Sequence, residues 1–232
     1  KARDIELALE SEADQLSVVY SLPEDPPEFP SHWHTVPYEC FFGCKFKAAI
    51  DLHEGGVMLQ IQADAQSDDW AAVVRRVRET FTTVPDLGVW GPSVDYSMWT
   101  LDKVYLQDFD LKRSLLAVRQ TDGIVWALSD QVIHRMREAD YSMNPLGWGI
   151  DSLAIAYAYT HNLLVLRDTS VQIVHPKGKG YGRDEAAKQL ELFMEQLSFQ
   201  ERLMWDITRR GNKPLSTKDL TYLLLRRLTG RE

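Results

Sequence analysis

Cysteine is scarce in this 232-residue chain: only Cys40 and Cys44 occur, too few for a disulfide framework, so a reducing, cytoplasmic setting is expected. Long apolar runs are missing as well. No stretch approaches the roughly 20 residues needed to cross a bilayer, and no signal-peptide pattern opens the chain. Basic residues do not predominate. With 26 Lys+Arg against 34 Asp+Glu the formal charge is -8, which argues against binding to a nucleic-acid backbone. Internal repeats and low-complexity tracts are absent, as is an initiating methionine. The start at Lys1 suggests a processed or truncated piece, with further N-terminal sequence or a domain before it.

What is present suits a globular domain: 44% of residues are hydrophobic, enough for a sizeable core. A short helix is expected over 3–12 and a strand over 16–20. Four prolines between Pro23 and Pro30 then impose a loop or extended connector. A helix from Tyr38 to Leu52 stops at Gly55-Gly56, and Val57 to Gln62 reads as a buried strand. Ser67 or Asp68 is expected to cap a helix whose apolar positions Trp70, Val73, Val74, Val77 and Phe81 keep helical spacing. Strands at 87–90, 114–119 and 123–128 lead to a helix capped by Ser129 or Asp130. A helix over 152–161 and strands at 163–167 and 171–174 complete the pattern to His175. The tail is helical, with Leu190, Phe193, Met194 and Leu197 on one face and a last helix starting at Ser216. Helix–strand alternation over 1–175 predicts an α/β sandwich with a mixed, mostly parallel sheet. The domain is expected to span 1–185, with a helical extension over 186–232 that packs, dimerises or links onward.

Ligands of open α/β sheets bind beyond the carboxyl ends of the strands, and three polar clusters fall at such places. The first is Gln62-Ala63-Asp64, where a carboxylate at a strand end can hold Mn²⁺ or Mg²⁺ against substrate phosphates; its alternative role is a loop Asp before the next helix. The second is Gly147-Trp148-Gly149-Ile150-Asp151. There the glycines allow close backbone approach to a ligand, Trp148 offers a flat face to a sugar, and Asp151 can serve as general base or simply as an N-cap. The third is His175-Pro-Lys-Gly-Lys-Gly-Tyr181. It joins a possible metal ligand to two cations, Lys177 and Lys179, able to neutralise a diphosphate, or else forms a solvated basic turn. Cys40 and Cys44, four apart, read as reduced residues on one helix face. The aromatic segment 90–105, with Trp99, is either an acceptor surface or a core edge.

The order of these clusters resembles a GT-A-type glycosyltransferase, most closely the inverting, family-2-like group, over roughly residues 3–185. In that family a short acidic motif after a central strand binds the metal and the donor diphosphate; Gln62-Ala63-Asp64 stands in its place. A later Trp-Gly-x-(Asp or Glu) element supplies the base, matched by Trp148 to Asp151, and a His near the domain end, matched by His175, completes the metal site. The family's first strand has no counterpart after Lys1, so 16–20 serves as the first or second strand.

The resemblance implies metal-dependent, inverting transfer of a sugar from a nucleoside-diphosphate sugar, with UDP as the nucleotide by analogy, to a carbohydrate or other hydroxyl acceptor. Asp151 is the expected catalytic base and Asp64 and His175 the metal ligands. Gln62, Asp64, Lys177, Lys179 and Tyr181 are expected around the donor diphosphate, and Trp148, Gly149 and Trp99 around substrate. Two rivals stand beside it: nucleotidyl transfer on a related scaffold, which releases pyrophosphate, and a non-catalytic or partner-dependent domain.

Overall fold

The computed structural model describes residues 1–22, 28–176 and 181–210. Its first half runs α1 (Ala2–Leu9), β1 (Val18–Tyr20), β2 (Trp33–Thr35), α2 (Phe42–Leu52), β3 (Met58–Ile61), α3 (Trp70–Thr83), β4 (Leu87–Val94) and the single turn α4 (Leu101–Val104). There follow β5 (Tyr105–Asp108), β6 (Leu115–Val118), β7 (Val125–Leu128), α5 (Asp130–Glu138), α6 (Ile150–Thr160), β8 (Leu164–Ile173), α7 (Arg183–Met194) and α8 (Phe199–Arg209).

β1 and β2 pair in parallel as a small sheet of their own, and the other six strands form one sheet in the order β3-β7-β4-β8-β6-β5. Side-chain alternation sends successive strand residues to opposite faces. Trp126 and Leu128 enter a cluster with residues of α2, α5, α6, α7 and α8, while Val125 and Ala127 enter one with α1 and α3. Helices therefore cover both faces, and the α/β/α sandwich expected from the sequence is present.

The sheet is mixed, but its pairing corrects the expectation of a mostly parallel one. Only β4 and β8 pair in parallel; β3–β7, β4–β7, β6–β8 and β5–β6 are antiparallel. The cause lies in the middle of the chain, where β5, β6 and β7 follow one another without an intervening helix. Parallel neighbours need a crossover of about a dozen residues or more, whereas the short 109–114 connection folds β6 back beside β5.

Local chemistry accounts for most boundaries. The cap of α3 is Asp69, not Ser67 or Asp68: its carboxylate accepts from the Ala72 N–H at 2.8 Å, and it stands directly before the first helical residue in extended backbone. Ser129 caps α5, one of the two residues expected there. The separate strands expected at 163–167 and 171–174 are one strand, β8, with an irregularity opposite Pro92 and Ser93. The helix expected from Tyr38 begins at Phe42, so Cys40 precedes it and shares no helix face with Cys44; both thiols are free.

The tail joins the main core. Phe193, Met194, Leu197, Met204 and Trp205 lie in the same cluster as Phe46 and Trp126. The expected boundary at 185/186 falls inside α7, and the final helix expected from Ser216 lies outside the described residues. Among the described residues no helix is long and apolar enough to cross a membrane.

Candidate functional site at the strand ends

β3, β4 and β8 run in one direction, so their carboxyl ends share one edge of the sheet. β7 runs the opposite way and brings Asp122 and Gly123, which precede it, to that same edge. The 119–124 connection reaches β7 by crossing the sheet over Gly91. A Cβ at Gly91 would stand 2.2 Å from the Thr121 hydroxyl, so only glycine leaves room for the crossing.

Asp64 and His175 meet at this edge, with Asp64 Oδ1 3.4 Å from His175 Nε2. Both ring nitrogens of His175 are enclosed without a hydrogen-bond partner, and its backbone N–H donates to Asp95 Oδ1 at 2.9 Å. Among the described residues no group of three or more His, Cys, Asp or Glu is arranged to hold a metal ion. The Asp64–His175 pair, one hard oxygen and one unsatisfied imidazole, nevertheless fits a divalent ion that takes its remaining ligands from waters and substrate phosphates. Gln62 stands beside the pair but is occupied: its side-chain amide donates to the Gly123 carbonyl at 3.2 Å. Lys177 and Lys179 lie outside the described residues.

Asp151 occupies the first turn of α6, partly buried, where its carboxylate accepts from the Ser152 N–H at 2.8 Å. Burial, and then the nearby Asp122 carboxylate, push its pKa up to about 6, against the opposing pull of Ser152 and the Trp99 indole N–H. No cation stands among the groups that set this value. Asp122 is itself raised by burial, opposed by Ser97, Arg167 and His175. A line of acidic and imidazole groups thus runs across the strand ends: Asp64, His175, Asp122, Asp151.

The glycines flanking Trp148 are packed closely against neighbouring helices. Gly147 and Gly149 adopt φ of +83° and +86°, and a Cβ on them would meet Phe42 and Leu190, at 2.6 and 2.3 Å. They press the turn against α2 and α7, and Gly149 is buried. Trp148 and Tyr181 are brought together: the indole N–H donates to the Tyr181 hydroxyl at 3.0 Å, and Phe41 packs edge-on to the Tyr181 ring. Trp99 lines a cavity of about 240 Å³ beyond β4, with Ser93, Asp95, Ser97, Thr100, Leu101 and Arg167. A larger cavity of about 350 Å³, lined by Gln131, Thr160, His161, Ser198 and Gln200, contains none of these groups.

Of the residues singled out in the sequence, Asp64 with His175, Asp151 with Trp99, and Trp148 with Tyr181 come together. Asp122 and Arg167 were missed. Asp122 precedes a strand instead of following one, and only knowledge that β7 is antiparallel would have placed it; a Thr-Asp-Gly turn was its sole signal. Arg167 hides inside an apolar strand.

Neither a protein-family model nor a curated protein matches the chain. Among solved structures, GalNAc-T7 crystallised with UDP, GalNAc and Mn²⁺ is similar at a TM-score of 0.52 and 10% identity, covering 77% of this chain and 39% of that one. A UDP-glucose pyrophosphorylase complexed with UDP-glucose scores 0.38 at 10% identity, over 71% of this chain and 66% of that one. The UTP-bound enzyme of Acinetobacter baumannii scores 0.41 at 10% identity, over 77% and 67%. The fold is thus GT-A-like, and the chain spans about two fifths of the GalNAc-T7 chain.

Proposed function

We propose that this domain transfers a sugar from a nucleoside-diphosphate sugar, a UDP-sugar in the first instance, to a hydroxyl acceptor with inversion. The observation that carries the reading is Asp151: a partly buried carboxylate with no cationic partner among the described residues, held near pKa 6, and bonded to Trp99, which also lines a cavity of about 240 Å³. Such a group is ionised at neutral pH yet basic enough to take a proton from an attacking hydroxyl. Trp99, Ser93, Ser97, Thr100 and Asp95 offer the ring face and polar groups that bind sugars. Asp64 and His175 would hold Mn²⁺ or Mg²⁺ on the diphosphate, and the cation would stabilise the leaving group's charge when bound. The presence of UDP and Mn²⁺ in the GalNAc-T7 structure, similar in fold, supports that choice. Lys177 and Lys179 would add positive charge to the same leaving group, and Trp148 with Tyr181 would line the approach.

The test is a panel of UDP-sugars with Mn²⁺, scored for UDP release. Asp151→Asn should reduce turnover at least about a thousandfold while UDP binding stays within about twofold. Chelation should abolish turnover and added Mn²⁺ restore it, and Asp64→Ala should raise the Mn²⁺ needed. Full activity in Asp151→Asn would overturn the assignment; pyrophosphate release instead of UDP would reassign the domain to nucleotidyl transfer.

A further inference from the structure

Arg167 and Asp168 are adjacent in β8 and buried, and strand alternation sends them to opposite faces. Asp168 meets Arg76 of α3, 2.6 Å from its Nε, and ties helix to sheet. Arg167 turns to the other face and meets no carboxylate at hydrogen-bond distance. Its Nη1 donates to the Trp99 carbonyl at 2.8 Å and its Nη2 to the Gln120 carbonyl at 3.3 Å. These two carbonyls belong to the two loops that flank Asp151. The 95–100 loop carries Trp99, whose indole N–H faces the Asp151 carboxylate, and the 119–124 loop carries Asp122, the acid beside it. The second loop is close to α6: a Cβ on Gly123 would lie 3.8 Å from the Asp151 Cβ.

From this geometry we infer that Arg167 is a positioning residue for the base: one buried guanidinium fixes both loops that set the orientation and surroundings of Asp151. The inference rests on the sugar-transfer reading with Asp151 as base. A planar fork suits the task, since a guanidinium can hold two separate carbonyls in fixed directions while an ammonium is a point donor. Burial adds leverage. With Arg167 removed, the buried Gln120 carbonyl and the part-buried Trp99 carbonyl lose their partner, and each loop is free to rotate its side chain away from Asp151. Displacements of about 1 Å in such a site cost on the order of a hundredfold in rate. The groups facing Asp151 are Trp99 and Asp122 from the two loops and Ser152 from its own helix, so both non-helical neighbours depend on Arg167.

Arg167→Ala should lower kcat about a hundredfold and leave UDP affinity within about twofold. Millimolar guanidinium should restore at least tenfold of the loss in Arg167→Ala and nothing in Asp151→Asn. Arg167→Lys should fall between wild type and Arg167→Ala. A folded Arg167→Ala protein with kcat within threefold of wild type would overturn the inference, as would a loss that neither guanidinium nor lysine repairs. If Arg167→Ala does not fold, Arg167→Lys decides, because an ammonium cannot hold both carbonyls in the directions the guanidinium fixes. The carboxyl ¹³C titration of Asp151 should then move away from that of wild type as Trp99 and Asp122 shift, a readout independent of turnover; an unmoved titration sinks the proposal. An inactive Asp151→Asn with an unaffected Arg167→Ala rejects only this inference, whereas an active Asp151→Asn rejects the function itself.

Discussion

Buried acids are treated in two opposite ways in this molecule. Among the described residues, each buried acid away from the strand ends is matched by a cation. Glu201 in α8 receives both Nε and Nη2 of Arg135, at 2.7 and 3.2 Å, and closes a capping box with Ser198. Burial alone would raise its pKa, but Arg135 and Ser198 hold it below the usual range. Glu6 in α1 meets His32 and Arg3, and these hydrogen bonds, with Trp33, outweigh burial and bring it down to about 2. At the strand ends, among the described residues, Asp151 has no such match and Asp122 feels Arg167 and His175 only through their charge; burial wins and both are raised. The lesson is thermodynamic: paired acids stabilise the fold when ionised, whereas Asp151 destabilises it. A destabilising charge kept at one edge of the sheet is what the proposed role of Asp151 as a base requires.

The sharpest way to break the contrast is Asp151→Asn. Turnover in the wild type should rise with pH through about 6 and then level, since only the ionised base acts. Stability should run the other way. The native pKa lies above the unfolded value, so the folded state binds the extra proton, and stability falls as pH rises from about 4 to above 6. Asparagine carries no charge and can still accept from Ser152. The variant should therefore be more stable than wild type at pH 8, by up to about 3 kcal/mol, with no difference below pH 4. Urea melts at the two pH values measure it, and a variant less stable at pH 8 would end the contrast.

The paired acids should answer in reverse. Arg135→Met leaves Glu201 buried without its partner and should cost about 3 kcal/mol at pH 7. Adding Glu201→Leu should recover most of that loss, because two apolar side chains replace a desolvated pair; a double variant as weak as the single one contradicts this account. Glu6 gives a smaller effect. Its lowered pKa supplies stability that is complete above the unfolded value near 4.5 and is lost as pH falls toward 2. Glu6→Gln should flatten that acid limb by roughly 1 kcal/mol, the exposed parts of Arg3 and His32 being screened by solvent. Melts between pH 5 and pH 2 would read it.

Much of this was legible beforehand, and the gaps have a common cause. Periodicity located α2, α3, α5, α6 and the strands on either side of them, because amphipathic spacing is a local signal. Strand direction is not local. With β7 and β6 antiparallel to their neighbours, residues that precede a strand arrive where ligand-binding residues normally follow one, and Asp122 escaped notice. Asp151 was visible as a carboxylate behind Gly-Trp-Gly, but that these glycines serve contact with Phe42 and Leu190 could not be read without the packing. Arg167 gave no sign at all. A charged residue within Val165-Leu166-Arg167 suggests an edge facing water, yet β8 is central and Arg167 is only 5% exposed.

The smallest expected effect isolates the part Asp122 plays. Burial is the larger cause of the raised pKa of Asp151, and the Asp122 charge is the second. Asp122→Asn removes the like charge and leaves burial unchanged, so the acid limb of turnover should move to lower pH by less than one unit. Turnover on the plateau should change little, because the base stays in place and is fully ionised there. The size of the shift separates two pictures of this edge. If Asp122 acts only as a neighbouring charge, the limb moves down by less than one unit; if it shares a proton with Asp151, the upper pKa belongs to the pair and the limb falls by more. A small downward shift would mean that the raised pKa of Asp151 is set chiefly by its burial at the start of α6, and that Asp122 only adjusts it.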